Sequence, residues 1–221
     1  MAGKMSDKDL KEPDTLQTLF MKGIGYFNEN KPKFYIAGGV AAFIILVSGG
    51  WYLYRLDYEK SAQVLYAKVN MSMMTGTDQD IITQYKDLVK KYPDSEAGIM
   101  AQYRLGNILF NLNDIDGAIT AYQGYLKEAP EGSDITTLAY TGLGYCYENK
   151  GDFKTALSYY EKAEKSKAGG NFESMNFRNL GRIYESLNDR VKALEYYKKA
   201  LGKTVDPTVE RFIKRKIASL G

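Results

Sequence analysis

The sequence predicts an all-α protein: one long apolar helix, then a solenoid of helix pairs closed by a capping helix. Three observations carry this. The run FYIAGGVAAFIILVSGGWYLY, Phe34 to Tyr54, holds 21 residues without a charge. Beyond it, tyrosines return at a fixed spacing, and residues suited to tight turns keep the same spacing. Composition argues for interaction over chemistry. In 221 residues with a net charge of +3 there are 0 His and 1 Cys, so the commonest general base and metal ligand is missing. A lone cysteine forms neither an intramolecular disulfide nor a thiolate zinc site. No catalytic residue, cofactor or metal site is expected, and the chain is read as non-enzymatic. Residues 55–221 carry 24 basic and 22 acidic side chains, which gives no stripe for nucleic acid.

Residues 1–33 are expected to be a cytosolic tail. Leu16, Leu19, Phe20, Ile24 and Phe27 repeat at helical spacing behind Asp14 and Gln17, which are placed like a capping box. This predicts an interfacial amphipathic helix that either docks a membrane partner or rests on the headgroups.

Residues 34–54 are expected to be a transmembrane helix. At about 1.5 Å per residue the run spans about 30 Å, the thickness of a bilayer core. Phe34 and Tyr35 at one end, and Trp51, Tyr52 and Tyr54 at the other, suit the headgroup level; Lys31, Lys33 and Arg55 bracket the run. A cleaved signal peptide fits poorly, because a polar tail precedes the run and the run is longer than a signal's apolar core. Gly38 and Ala42 would allow close approach of a second helix, so a homo-oligomer is possible. Flanking charge does not choose an orientation: Lys22, Lys31 and Lys33 on one side match Arg55, Lys60 and Lys68 on the other. A small tail before the helix and a large domain after it are compatible with a signal anchor that exports the C-terminal part.

From residue 55 on the chain repeats. Tyr85, Tyr122, Tyr160 and Tyr197 are 37, 38 and 37 apart, and so are Gly76, Asn113, Gly151 and Asn188. The second set falls between helical patterns, where the chain must turn through a left-handed conformation cheap only for Gly and then Asn. Gly106, Gly144 and Gly181 instead lie within helical patterns, each after a Leu (Leu105, Leu143, Leu180), where Gly costs about 1 kcal/mol relative to Ala. Close approach of a partner helix explains them, with Ala118, Ala156 and Ala193 as the matching small surface and the tyrosines four residues later filling the gap to the next pair.

These residues resemble the tetratricopeptide repeat, whose pattern W-x2-L-G-x2-Y, then A, F and P, spans about 34 residues. The repeat from Thr137 matches at Tyr140, Leu143, Gly144, Tyr147, Ala156, Tyr160 and Ala163, and the repeat from Ser174 at Phe177, Leu180, Gly181, Tyr184, Ala193, Tyr197 and Ala200. The repeat from Ile99 keeps Leu105, Gly106, Ala118, Tyr122 and Pro130. Three repeats are thus expected over 99–206. Residues 55–98 form a degenerate first repeat whose first helix continues from the anchor, and residues 207–221 form the cap. Val209, Phe212, Ile213, Ile217 and Leu220 give that cap its apolar side.

The resemblance implies a partner-binding face lined by first helices. Its groove positions fall on Tyr66, Asn70 and Met73; Tyr103, Asn107 and Phe110; Thr141, Tyr145 and Asn149; and Arg178 and Arg182 with Glu185. Amide side chains can bond a peptide backbone of any sequence, and Tyr supplies adaptable apolar contact, so broad specificity is expected if these tyrosines bind as well as pack. The family's carboxylate clamp is not expected, since Tyr103 replaces its Lys, and Met175 and Asn179 stand at its basic positions. Cys146, mid-helix, is expected to be a small buried residue.

Tail, interfacial helix, anchor and repeats together resemble the YfgM-like family of ancillary translocon and periplasmic chaperone proteins of the bacterial inner membrane. The resemblance implies a single-pass protein with a cytosolic N-terminus. Its periplasmic repeat domain would assist export or folding near the Sec translocon, beside a membrane-anchored chaperone and unfolded clients. The alternatives are a structural scaffold of an envelope complex and a cytosol-facing receptor.

Overall fold

The computed structural model describes residues 15–130, 132–166 and 172–221. Asp14, expected to cap the first helix, and the rest of the tail up to it lie outside the described residues, as do the side chains of Thr15 and Leu16. Among the described residues all regular structure is helical, in the order α1 (Thr15–Glu29), α2 (Lys31–Ser72), α3 (Asp78–Lys91), α4 (Glu96–Asn111), α5 (Ile115–Glu128), α6 (Asp134–Asn149), α7 (Phe153–Lys165), α8 (Glu173–Ser186), α9 (Arg190–Leu201) and α10 (Pro207–Leu220). The chain divides into two compact units, one up to Leu56 and one from Asp57 on.

In the first unit, α1 ends at Asn30, whose backbone N–H bonds the Tyr26 carbonyl at 3.1 Å. The Phe27 and Phe34 rings meet across this junction at 5.0 Å. Leu19, Phe20, Ile24 and Phe27 are exposed along α1. Among the described residues one helix, α2, is long and apolar enough to cross a membrane; its most apolar window has mean hydropathy 1.8 and is 0% buried within the protein. Helix α2 is unbroken at residue 54, the expected end of the apolar run.

The second unit repeats a two-helix theme: the last turns of α2 meet α3 through Tyr66 with Tyr85 and Ser72 with Gln84, then α4 pairs with α5, α6 with α7 and α8 with α9, and α10 packs on α9. The second helices start alike for a physical reason. Asn113, Gly151 and Asn188 have φ of 62°, 75° and 61°, and the next residues, Asp114, Asp152 and Asp189, accept a hydrogen bond from the N–H three residues on. A left-handed residue reverses the chain, and an aspartate satisfies an otherwise unpaired donor at the start of the next helix. Gly76 departs from this expectation. It has no left-handed φ; its N–H bonds the Ser72 carbonyl at 2.7 Å, and an added Cβ would lie 2.9 Å from that oxygen. Close approach of backbone therefore explains Gly76, and the capping box of Thr77 with Asp80 starts α3 instead.

The helical glycines are also corrected in detail. What fills the space beside Gly106, Gly144 and Gly181 is the ring of Tyr122, Tyr160 and Tyr197 from the same pair: a Cβ would stand 2.7 Å from Tyr122 and 2.9 Å from Tyr197, and at Gly144 it would overlap Tyr160. Ala118, Ala156 and Ala193 are fully buried beneath, each at 0%. The Tyr122 ring touches the next pair as well, 2.6 Å from a Cβ placed on Gly142. On α10, Ile213 is buried, with Val209, Phe212, Ile217 and Leu220 against the last core cluster.

Candidate functional site

The first helices of the pairs, that is the end of α2 together with α4, α6, α8 and α10, repeat their own side chains at the period of the tyrosines. One position reads Tyr66, Tyr103, Thr141, Arg178; four residues on it reads Asn70, Asn107, Tyr145, Arg182; one turn later Met73, Phe110, Glu148, Glu185. The structure shows what each does.

Every repeat tyrosine hydroxyl needs an acceptor, and two solutions are used. Tyr85 donates to Asn70 Oδ1 at 3.0 Å and Tyr122 to Asn107 Oδ1 at 2.7 Å. In the later pairs Tyr160 donates to Glu148 at 2.7 Å and Tyr197 to Glu185 at 3.0 Å. A half-buried carboxylate calls for a counter-charge: Arg182 Nη1 meets Glu148 at 2.5 Å, and Lys216 Nζ meets Glu185 at 2.9 Å. Burial pushes the Tyr85 hydroxyl up to about 12 and also raises those of Tyr122, Tyr160 and Tyr197, which the carboxylates of Glu148 and Glu185 push further in the latter two. All four stay protonated donors at neutral pH.

The groove positions therefore divide. Tyr66 and Tyr103 are half-buried and line one side of a cavity of about 500 Å³, with Gln63, Met100, Arg104 and Leu138. Tyr66 lies beside Arg104 and raises the guanidinium's pKa. Phe110, Tyr145, Asn149 and Arg182 line a second concavity of about 270 Å³ together with Glu148. There the Phe110 and Tyr145 rings are 6.3 Å apart, Arg182 lies 5.4 Å above Tyr145, and the Tyr145 hydroxyl donates to Asn179 Oδ1 at 3.2 Å. Asn70 and Asn107 each use the carbonyl oxygen to accept a tyrosine hydroxyl, and the NH2 group of each amide remains a donor by chemistry.

Thr141 does not belong to the surface. It is 2% exposed and donates to the Thr137 carbonyl at 2.9 Å, because the short side chain lets α8 close over it through Asn176. Asn179 is equally buried, and its Nδ2 has no hydrogen-bond partner among the described residues. Arg178 is half-buried and forms no ion pair among the described residues. Cys146 is buried, and burial pushes its thiol up to about 11, so it packs as an unreactive thiol.

The sequence reading missed Gln63, Met100, Leu138 and Arg104. The first three do share the repeat spacing, with steps of 37 and 38, one turn before Tyr66, Tyr103 and Thr141. Their varied chemistry hid the register. Among the described residues no group of three or more His, Cys, Asp or Glu could hold a metal.

Fold and surface together define a repeat module for protein–protein interaction. Residues 25–221 match the tetratricopeptide repeat-like domain, and the chain belongs to that family. No curated protein sequence matches significantly. Among solved structures, MamA protein is similar at 27% identity and TM-score 0.55, covering 64% of this chain and 72% of that one. YrrB, described as a TPR protein with an unusual peptide-binding site, is similar at 22% identity and TM-score 0.55, covering 70% of this chain and 74% of its own. BtubC (BKLC) from P. vanneervenii has TM-score 0.61 at 15% identity, covering 76% and 75%. The last two likenesses concern the fold.

Proposed function

We propose that this chain is a single-pass inner-membrane protein whose periplasmic repeat domain holds extended segments of other proteins and assists their export or folding near the Sec translocon, beside a membrane-anchored chaperone. The observation that carries the binding function is the cavity of about 500 Å³ bordered by Tyr66 and Tyr103 with Gln63, Met100 and Leu138; Asn70 and Asn107 follow those tyrosines by four residues on the same helices. The cavity offers apolar and aromatic contact with the amide of Gln63, and its two charged residues, Arg104 and Glu96, are of opposite sign, so it does not select one side-chain charge. Membrane anchoring is supported by the exposure of the apolar run, where Leu46 is 74% accessible. The exposed apolar face of α1 then rests on the headgroups.

Two measurements test this. Protease added to spheroplasts should digest residues 57–221 while the membrane is intact; digestion only after the membrane is breached would place the repeats in the cytosol. A photoreactive residue at position 103 should crosslink many chains in transit, including a translocating one stalled in the channel. Capture of one or two fixed partners and no translocating chain would make the protein a scaffold.

A further inference from the structure

We propose that the segment bound on the first-helix face has two unlike ends: an apolar or aromatic side chain in the Tyr66–Tyr103 cavity, and an acidic stretch over α8 and α10. This rests on the partner-binding function above and adds the chemistry of the partner.

The warrant is a gradient along one register position. Continued to the cap, it reads Tyr66, Tyr103, Thr141, Arg178, Arg215, in steps of 37, 38, 37 and 37. The early positions are neutral and aromatic, the late ones guanidinium. Most other cations near the late end are already used. Arg182 is held by Glu148, Lys216 by Glu185 and Lys214 by Glu210 at 2.5 Å. Arg178 and Arg215 form no ion pair among the described residues, and Arg215 opens on a hollow of about 390 Å³ with Thr208, Arg211 and Lys214. The guanidinium fork suits carboxylate. At the early end Arg104 lies beside Tyr66, and Glu96 on the same cavity offsets its charge. A wholly apolar segment would leave Arg178 and Arg215 without a counter-charge; a wholly acidic one would forgo burial in the tyrosine cavity. A segment apolar at one end and acidic at the other satisfies both.

The test uses the full-length chain in phosphatidylcholine nanodiscs and three labelled peptides of equal length, read by fluorescence anisotropy. One carries a single Trp in a neutral context, one adds an Asp/Glu tail to the same Trp segment, and one has the acidic tail alone. The tailed Trp peptide should bind about tenfold tighter than the neutral one, with the advantage shrinking as salt rises. R178E combined with R215E should abolish that advantage, whereas Y103A should weaken both Trp peptides. The conservative pair R178K and R215K should retain most of the advantage, which separates charge from misfolding. Equal binding of neutral and tailed peptides, or an advantage that survives the charge reversal, overturns the acidic end. Binding of the acidic tail as tight as that of the tailed Trp peptide overturns the apolar end. Failure of all three peptides to bind removes the partner-binding function itself, and this proposal with it.

Discussion

The first two helix pairs and the last two solve one packing problem with different chemistry. In both halves a tyrosine ring from the second helix lies against the first helix, on a glycine in three of the pairs, and its buried hydroxyl must be accepted. Asn70 and Asn107 accept it as neutral amides, which call for no counter-charge. Glu148 and Glu185 accept it one turn later as carboxylates, which bring in Arg182 and Lys216 and make the surface ionic. A structural hydrogen bond, repeated with a different acceptor, thus sets the electrostatics of a binding face.

The comparison can be broken first through the ring. Tyr160→Ala and Tyr85→Ala should each cost about 3–5 kcal/mol in chemical denaturation, since both remove a fully buried aromatic. A much smaller loss at either site would show that its pair is loosely packed. Next in size is alkaline stability. The ordinary tyrosine value near 10 is raised in the folded chain, to about 12 for Tyr85 and in the same direction for Tyr160. The unfolded chain then ionises first, so this stabilisation is fully present below pH about 10 and is lost as pH rises through the folded values. Melting temperature followed with phenolate absorbance from pH 8 upward should show tyrosine ionisation coinciding with unfolding; ionisation well before unfolding would mean that the hydroxyls are solvated.

Gly144→Ala forces a methyl into the Tyr160 ring and should cost about 1–3 kcal/mol. Arg182→Ala, which leaves Glu148 with only the tyrosine, should cost about 1–3 kcal/mol, and Glu148→Gln in the same chain should recover part of it. An additive double-mutant cycle would show that the ion pair is incidental. The smallest effect separates packing from binding in the early half. Tyr122→Phe should lose about 1 kcal/mol through Asn107, whereas Asn107→Asp, which keeps an acceptor, should turn the early surface acidic and weaken binding of the acidic-tailed peptide.

Much of this was legible from spacing. The positions of the repeat tyrosines, the buried alanines and the Leu-Gly pairs are periodic in the chain, and period alone implies stacked helix pairs. The left-handed turns at Asn113, Gly151 and Asn188 followed from residue type. Gly76 did not, because close approach and positive φ both demand glycine and the letter does not say which. The groove was only partly legible. Tyr66, Tyr103, Phe110, Tyr145, Asn149 and Arg182 border cavities, but Thr141 is interior, because burial at its position depends on the size of the side chains on the next first helix.

What the sequence determined by itself was therefore local and periodic: helix starts and turns, the repeat length, and the apolar run from Phe34 to Tyr54. These depend on backbone preference and on the spacing of apolar side chains, both of which act over a few residues. The tertiary structure alone decided which partner each side chain meets. That Tyr122 reaches an amide and Tyr160 a carboxylate, that Arg182 pairs with Glu148, and that Met100 and Leu138 share a cavity with Tyr66 are relations between helices tens of residues apart. Hydrogen bonds and ion pairs form at contact distance, and only the packed pairs bring those atoms to it.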